Sequence, residues 1–150
     1  RIERYLQSTF ETESNNTVAT ADKLSSKGLG SGVITAGNDV DTFEFSLKKN
    51  RMAVISIYAG TIGTFSDGFG EFSGYGSDLR PLILIKNEAG VTIASASTGT
   101  IVTVSTEAVA DGLPTASVAF VAPESGKYYA QVSPADLGNG PTHYYILEVK

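Results

Sequence analysis

The stretch Asp41-Thr42-Phe43-Glu44-Phe45-Ser46-Leu47 changes side-chain character at every step from Thr42 onward. Neighbouring side chains of an extended strand point to opposite faces, so Phe43, Phe45 and Leu47 share one face and Thr42, Glu44 and Ser46 the other. The segment therefore reads as a strand with one side in a core and one in water. Lys48, Lys49 and Asn50 make a polar turn after it, and residues 52–58 follow as a run rich in Val and Ile. Ile55 and Ile57 fall on one face of that run and Val54 and Tyr58 on the other, the pattern of an inner strand.

The same reading extends in both directions. Upstream, residues 27–32 read as a Gly-rich loop, 17–24 as a brief turn or half-buried strand, and Ile2, Tyr5 and Leu6 sit at helical spacing. Downstream, Pro81 opens Leu82-Ile83-Leu84-Ile85, Asn87 to Gly90 supplies turn chemistry, and 91–96 completes a β-hairpin. Residues 100–110, 118–121, 128–132 and 144–149 also have strand character, with Pro and Gly clusters between them. Eight to ten strands at this spacing, with no helices between them, predict an all-β fold, an antiparallel two-sheet jelly-roll β-sandwich.

Composition narrows the function. The chain has 150 residues, one domain's worth, with 11 Lys and Arg against 16 Asp and Glu and a formal charge of −5. Nucleic acid is not an expected partner, because phosphate binding needs a cationic face. There is no Cys and a single His, which excludes disulfides, thiolate chemistry and a two-histidine zinc site. No run of 18 apolar residues exists, so no membrane partner is expected. The first residue is Arg1, and the chain reads as a piece of something longer, monomeric by expectation.

Five pieces occur in a recognisable order. They are an acidic segment with Asn15-Asn16-Thr17 and Ala21; Gly37-Asn38-Asp39-Val40-Asp41-Thr42-Phe43-Glu44-Phe45; Leu79-Arg80-Pro81-Leu82-Ile83-Leu84-Ile85 with Gly90; Gly126-Lys127-Tyr128-Tyr129-Ala130-Gln131-Val132; and Tyr145-Ile146-Leu147-Glu148-Val149. Together they resemble the bacterial pre-peptidase C-terminal domain family, which includes the collagen-binding domains of clostridial collagenases. The resemblance covers 11–150 and leaves 1–10 as a linker or N-terminal extension, while 99–115 looks like an addition to the usual pattern. It implies a secreted, extracellular jelly-roll domain appended to a hydrolase, especially a peptidase. Such a domain binds substrate or assists secretion and has no catalysis of its own. Its partners would be an extracellular polymer, protein fibre or polysaccharide, or the parent catalytic domain.

The acidic segment also has a reading of its own. In an extended chain Glu11, Glu13 and Asn15 point the same way, and Asn16 adds an amide oxygen at the turn. Asp39 and Asp41 form a second pair with the same spacing. If the fold joins the two groups, four carboxylates and two amides surround one point, which suits the six to eight oxygen ligands of Ca2+. Without a cation those carboxylates repel one another. The alternative is a set of solvated side chains at a linker and a turn. The family resemblance favours calcium and implies that the Glu-x-Glu-x-Asn and Asp positions are the ligands, with Asn16 standing where an acid is common.

An enzyme is not expected. His143 is the only histidine, and Ser31 and Ser73 both lack a glycine needed for a Gly-x-Ser-x-Gly elbow. The loop 60–77 interleaves Gly with Phe65, Phe69, Phe72 and Tyr75 and carries Asp67 and Glu71, with Asp78 just beyond it. Its rings either cap the sandwich or contact a ligand, with Tyr75 the best contact candidate and Phe72 beside it. A carbohydrate-binding module or surface adhesion domain is therefore the second reading.

Overall fold

The computed structural model describes residues 5–59, 79–97, 114–140 and 142–150. Ten strands lie among them: β1 (Thr9–Phe10), β2 (Asp22–Lys23), β3 (Leu29–Val33), β4 (Asp41–Leu47), β5 (Met52–Tyr58), β6 (Pro81–Asn87), β7 (Thr92–Ser97), β8 (Ala116–Val121), β9 (Gly126–Pro134) and β10 (Tyr144–Val149). They form two five-stranded sheets, ordered β1-β3-β10-β5-β8 and β2-β4-β9-β6-β7. Successive strands among the described residues alternate between the sheets except at the β6–β7 hairpin, so nearly every connection crosses the sandwich. The expected sandwich is present, with one correction. The sheets are mixed, because the two-residue strands β1 and β2 pair in parallel with β3 and β4.

The alternation of β4 is realised in part: Phe43 lies in the core and Ser46 in water, but Thr42, expected on the water face, is fully buried, where its hydroxyl oxygen accepts the Gln131 amide at 3.1 Å, and Phe45 and Leu47 are only partly buried. Phe43 is fully buried, and its ring meets Tyr145 of the opposite sheet edge-on at 6.4 Å. Ile55, Ile57 and Leu147 from one sheet and Ile83, Ile85 and Val132 from the other complete the core. Tyr58, on the other face of β5, joins Leu29 and Ile146 in a separate cluster, as its place in the alternation requires. Burial on this scale makes Phe43→Ala cost about 3–5 kcal/mol.

The hairpin turn uses the predicted residues. Gly90 takes φ 78°, the Asn87 carbonyl accepts the Gly90 N–H at 2.9 Å, and Asn87 Oδ1 accepts the Val91 N–H at 3.0 Å.

Two expectations change and a third is met. The Gly-rich segment 27–32 is largely strand: β3 is buried, and its glycines are there because neighbours crowd them. A Cβ at Gly30 would lie 2.7 Å from the Phe43 ring, and one at Gly32 would lie 2.6 Å from the Tyr145 hydroxyl. Residues 17–24 hold the expected turn, a single 3₁₀ turn at Val18–Thr20, followed by the short strand β2. Tyr5 and Leu6, expected on a helix's apolar face, are exposed, and Ile2 lies outside the described residues. The strand expected at 100–110 and the loop 60–77 also lie outside them.

Candidate metal centre

The two acidic groups meet at one end of the sandwich. β1 pairs with β3 so that Phe10 faces Ser31, and the Glu11 N–H continues the pairing to the Ser31 carbonyl at 2.8 Å. This sets Glu11 beside Gly32. In the β3–β10 register Gly32 is opposite Tyr145, and from the other sheet Asp41, the first residue of β4, reaches the same place. The chain after Glu11 is tied back to β4 by the Thr42 N–H, which donates to the Asn15 carbonyl at 3.1 Å. The Glu13–Ser14 peptide bond is cis.

Glu11, Glu13 and Asp41 each offer a carboxylate oxygen, and these three oxygens lie within 4.8 Å of one another. Asp41 and Asn15 are fully buried, Glu11 is 8 % and Asp39 6 % exposed, while Glu13 is on the surface. Each buried side chain is held by one end. Glu11 Oε1 accepts the Val33 N–H at 2.9 Å, Asp41 Oδ2 accepts the Tyr145 hydroxyl at 2.5 Å, and Asn15 Nδ2 donates to Asp22 Oδ2 at 2.9 Å. Asp39 Oδ2 accepts both the N–H and the hydroxyl of Thr35, at 2.7 and 2.9 Å.

The opposite ends are what matter. Glu11 Oε2, Asn15 Oδ1 and Asp41 Oδ1 are the buried side-chain oxygens without a hydrogen-bond partner among the described residues. A buried acceptor left unpaired costs about 1–3 kcal/mol, and more when it is charged. With the carboxyls ionised all three atoms are acceptors, the kind of oxygen set that a hard cation takes.

The electrostatics agree. Burial pushes the Asp41 carboxyl up to about 9, against the Tyr145 hydrogen bond, which lowers it; Glu11 and Asp39 raise it further. Burial, then the charges of Asp39 and Glu11, also raise Glu13. Burial and the nearby Asp41 hold the Tyr145 phenol well above its ordinary value. The group favours added positive charge, as protons or as a metal ion.

Of the residues expected from sequence, Glu11, Glu13, Asn15, Asp39 and Asp41 lie in this region. Asn16 is exposed, and its backbone carbonyl is what the Gln131 amide reaches, at 3.5 Å. Tyr145, Asp22 and Gly32 were not anticipated. Tyr145 falls in the strand expected at 144–149, and only the other sheet supplies the partner of its hydroxyl, Asp41. Gly32 admits the site: a Cβ there would also lie 2.8 Å from Glu11 Cγ and 3.0 Å from Asp41 Oδ2. Phe72 and Tyr75, the expected ligand contacts, lie outside the described residues, as do Asp67, Glu71 and Asp78. His143 is partly buried, with Nδ1 3.3 Å from the Thr142 hydroxyl.

No family model matches the chain, and no curated protein matches it in sequence. Among solved structures it is similar to the pre-peptidase C-terminal domain of a collagenase from Bacillus anthracis, at 17% identity and TM-score 0.52, over 87% of this chain and 94% of that one. Weaker likenesses are to PliG of Aeromonas hydrophila, a periplasmic inhibitor of g-type lysozyme (14% identity, TM-score 0.38, 81% of this chain and 82% of that one), and to CorA, a surface-associated copper-binding protein of Methylomicrobium album BG8 (16%, 0.44, 95% and 96%). The last two bear on neither fold nor function. No helix among the described residues is long and apolar enough to cross a membrane. At these identities the shared property is the fold: the chain is a β-sandwich of the shape seen in the pre-peptidase C-terminal domain of that collagenase.

Proposed function

We propose that the chain is a non-catalytic accessory domain of a secreted bacterial hydrolase, of the peptidase kind, that binds an extracellular polymer or assists secretion. Calcium stiffens its N-terminal edge. Glu11, Asn15 and Asp41 supply the buried oxygens, Glu13 and Asp39 complete the carboxylate set, and Asn16 is left outside. The fold likeness supports the accessory role. The calcium reading is carried by one observation, the three buried acceptor oxygens that have no partner among the described residues.

Bound calcium supplies the positive charge that these oxygens lack, and the chain's own residues prepare for it. Val33, Tyr145 and Asp22 fix the direction of Glu11, Asp41 and Asn15 before any ion arrives, as outer-shell partners do at metal sites. Because Glu11 follows β1 and Asp41 opens β4, an ion held by both joins the two sheets and ties the N-terminal edge to the sandwich.

A ligand that binds only the folded state at about a hundred times its dissociation constant adds roughly 2.7 kcal/mol. For a domain of this size that corresponds to a rise in melting temperature on the order of 5–10 °C. The test is thermal unfolding with calcium and with chelator, on the wild type and on Glu13→Gln with Asp39→Asn. A calcium-dependent rise that the double variant loses is expected. Equal wild-type melting temperatures in the two buffers would leave the acidic cluster without a calcium role.

A further inference from the structure

The acidic site occupies one end of β4, and the other end has the opposite character. From Asp41 to Leu47 the strand spans about 20 Å. Beyond Leu47 lies an open cleft of about 640 Å³ between the two sheets' ends, and a hollow of about 410 Å³ adjoins it through the shared Arg51 and Lys127. Lys23, Lys27, Lys48, Arg51, Lys127 and Lys150 line the two. These are six of the chain's 11 basic residues, whereas among the described residues Glu44 is the one acidic residue in the lining. The net charge of −5 thus conceals a cationic end. Glu44 is bound to Lys127 at 3.1 Å, and Lys150 reaches Glu148 at 3.7 Å. Among the described residues Lys23, Lys27, Lys48 and Arg51 have no ion-pair partner.

The floor of the cleft is apolar: Leu24, Phe45, Leu47 and Val149 are partly buried against the core. Ser25, Ser26 and Ser46 add hydroxyls to the lining. The rim is held in place by backbone bonds. The Gly28 N–H donates to the Ser25 carbonyl at 2.9 Å, the Gly28 carbonyl accepts the Val149 N–H at 2.9 Å, and a Cβ at Gly28, whose φ is 74°, would meet the Val149 carbonyl at 2.5 Å. Asn50 closes the turn that carries Lys48 and Arg51, at φ 68°. A site built before its ligand arrives loses less entropy on binding.

We infer that this cleft binds an anionic polysaccharide, its sugar faces on Phe45 and the aliphatic floor and its carboxylates or sulfates on the surrounding cations. The volume falls in the usual range for ligand sites, about 300–1,000 Å³. Duplex DNA is a stiff rod with a charge every ~1.7 Å and needs a long cationic stripe, whereas a single acidic glycan chain carries its carboxylates or sulfates on sugar rings that can enter a hollow of this kind. Most of the cleft lies at the end of the sandwich opposite the calcium cluster, and β2 joins the two, with Asp22 against Asn15 and Lys23 in the cleft.

The test measures binding of heparin and hyaluronan oligosaccharides, with dextran, single-stranded DNA and polyglutamate as comparison polymers, on the calcium-saturated domain. Heparin, hyaluronan or both bind more tightly than the comparison polymers, and which of them does so names the anion. Binding weakens about threefold to tenfold in Lys27→Gln with Arg51→Gln, and about tenfold between 0.05 and 0.3 M salt. Lys23→Gln with Lys48→Gln repeats the loss in a second variant, and melting temperatures establish that each is folded. Arg80→Gln with Lys86→Gln, outside the cleft, leaves binding unchanged. Binding of neither acidic glycan beyond dextran, equal binding of DNA or polyglutamate, or an equal loss in the Arg80 and Lys86 control would overturn the assignment. Calcium dependence is read from melting, so failure of either proposal is visible separately.

Discussion

The Tyr145 hydroxyl donates to Asp41 Oδ2 at 2.5 Å across the gap between the two sheets. Both residues are buried, and the Tyr145 ring also packs edge-on against Phe43, two residues after Asp41. One side chain therefore belongs to the core by its ring and to the acidic site by its oxygen. That contact is where folding and the proposed calcium binding meet.

Tyr145→Phe keeps the ring and removes the donor. It leaves Asp41 Oδ2 buried without its hydrogen bond, at a cost of about 1–3 kcal/mol. Thermal unfolding in calcium should show a loss of several degrees, together with weaker calcium affinity, because Asp41 is no longer aimed. A variant that melts lower but binds calcium as before would make Tyr145 a packing residue only.

Gly32→Ala is expected to act more on the site than on the sheet. The added methyl group would lie under 3.0 Å from the Tyr145 hydroxyl and from Glu11 Cγ, so one of them must move. Calcium titration of the folded variant should show affinity reduced tenfold or more, about 1.4 kcal/mol or greater. Ser31→Ala, at the neighbouring position, should retain calcium affinity.

Stability without calcium should fall as pH rises. Asp41 is pushed up to about 9 in the folded chain from an ordinary 3.8, and Glu13 is raised as well. Between those limits the folded state binds more protons than the unfolded one. Their contribution is thus fully present below about pH 4 and is lost as the pH climbs toward 9. Calcium replaces the protons, so the rise in melting temperature it causes should be small at pH 5 and larger at pH 8. Calcium-free protein melted with and without added calcium across this range checks the sign, and a calcium effect that shrinks with rising pH would contradict it.

Magnesium should substitute poorly. The donors come from two chain segments on two sheets, and an all-oxygen set rich in carboxylates suits the larger ion with looser geometry. Melting with magnesium in place of calcium should recover less than half of the calcium effect at equal concentration; full recovery would point to a general divalent site.

Strand character was legible in the sequence because it is local. The strand from Thr42 to Leu47, the two faces of Met52–Tyr58 and the turn at Asn87 to Gly90 each follow from neighbouring side chains and backbone preferences, and the structure realises all three, although Thr42, expected in water, is buried by the rest of the fold. So was the chemistry of the acidic set, because residues two apart share a face. Tertiary structure decided what depends on the opposite strand. Gly30 and Gly32 look like loop residues until Phe43 and Tyr145 are set against them, and Tyr145 is one residue of an expected strand until Asp41 comes within reach of its hydroxyl. The same holds for charge. Composition counts Lys23, Lys27, Lys48, Arg51, Lys127 and Lys150 into a net −5, and only the fold, by bringing distant turns and strand ends to one edge, gathers them into a cationic cleft.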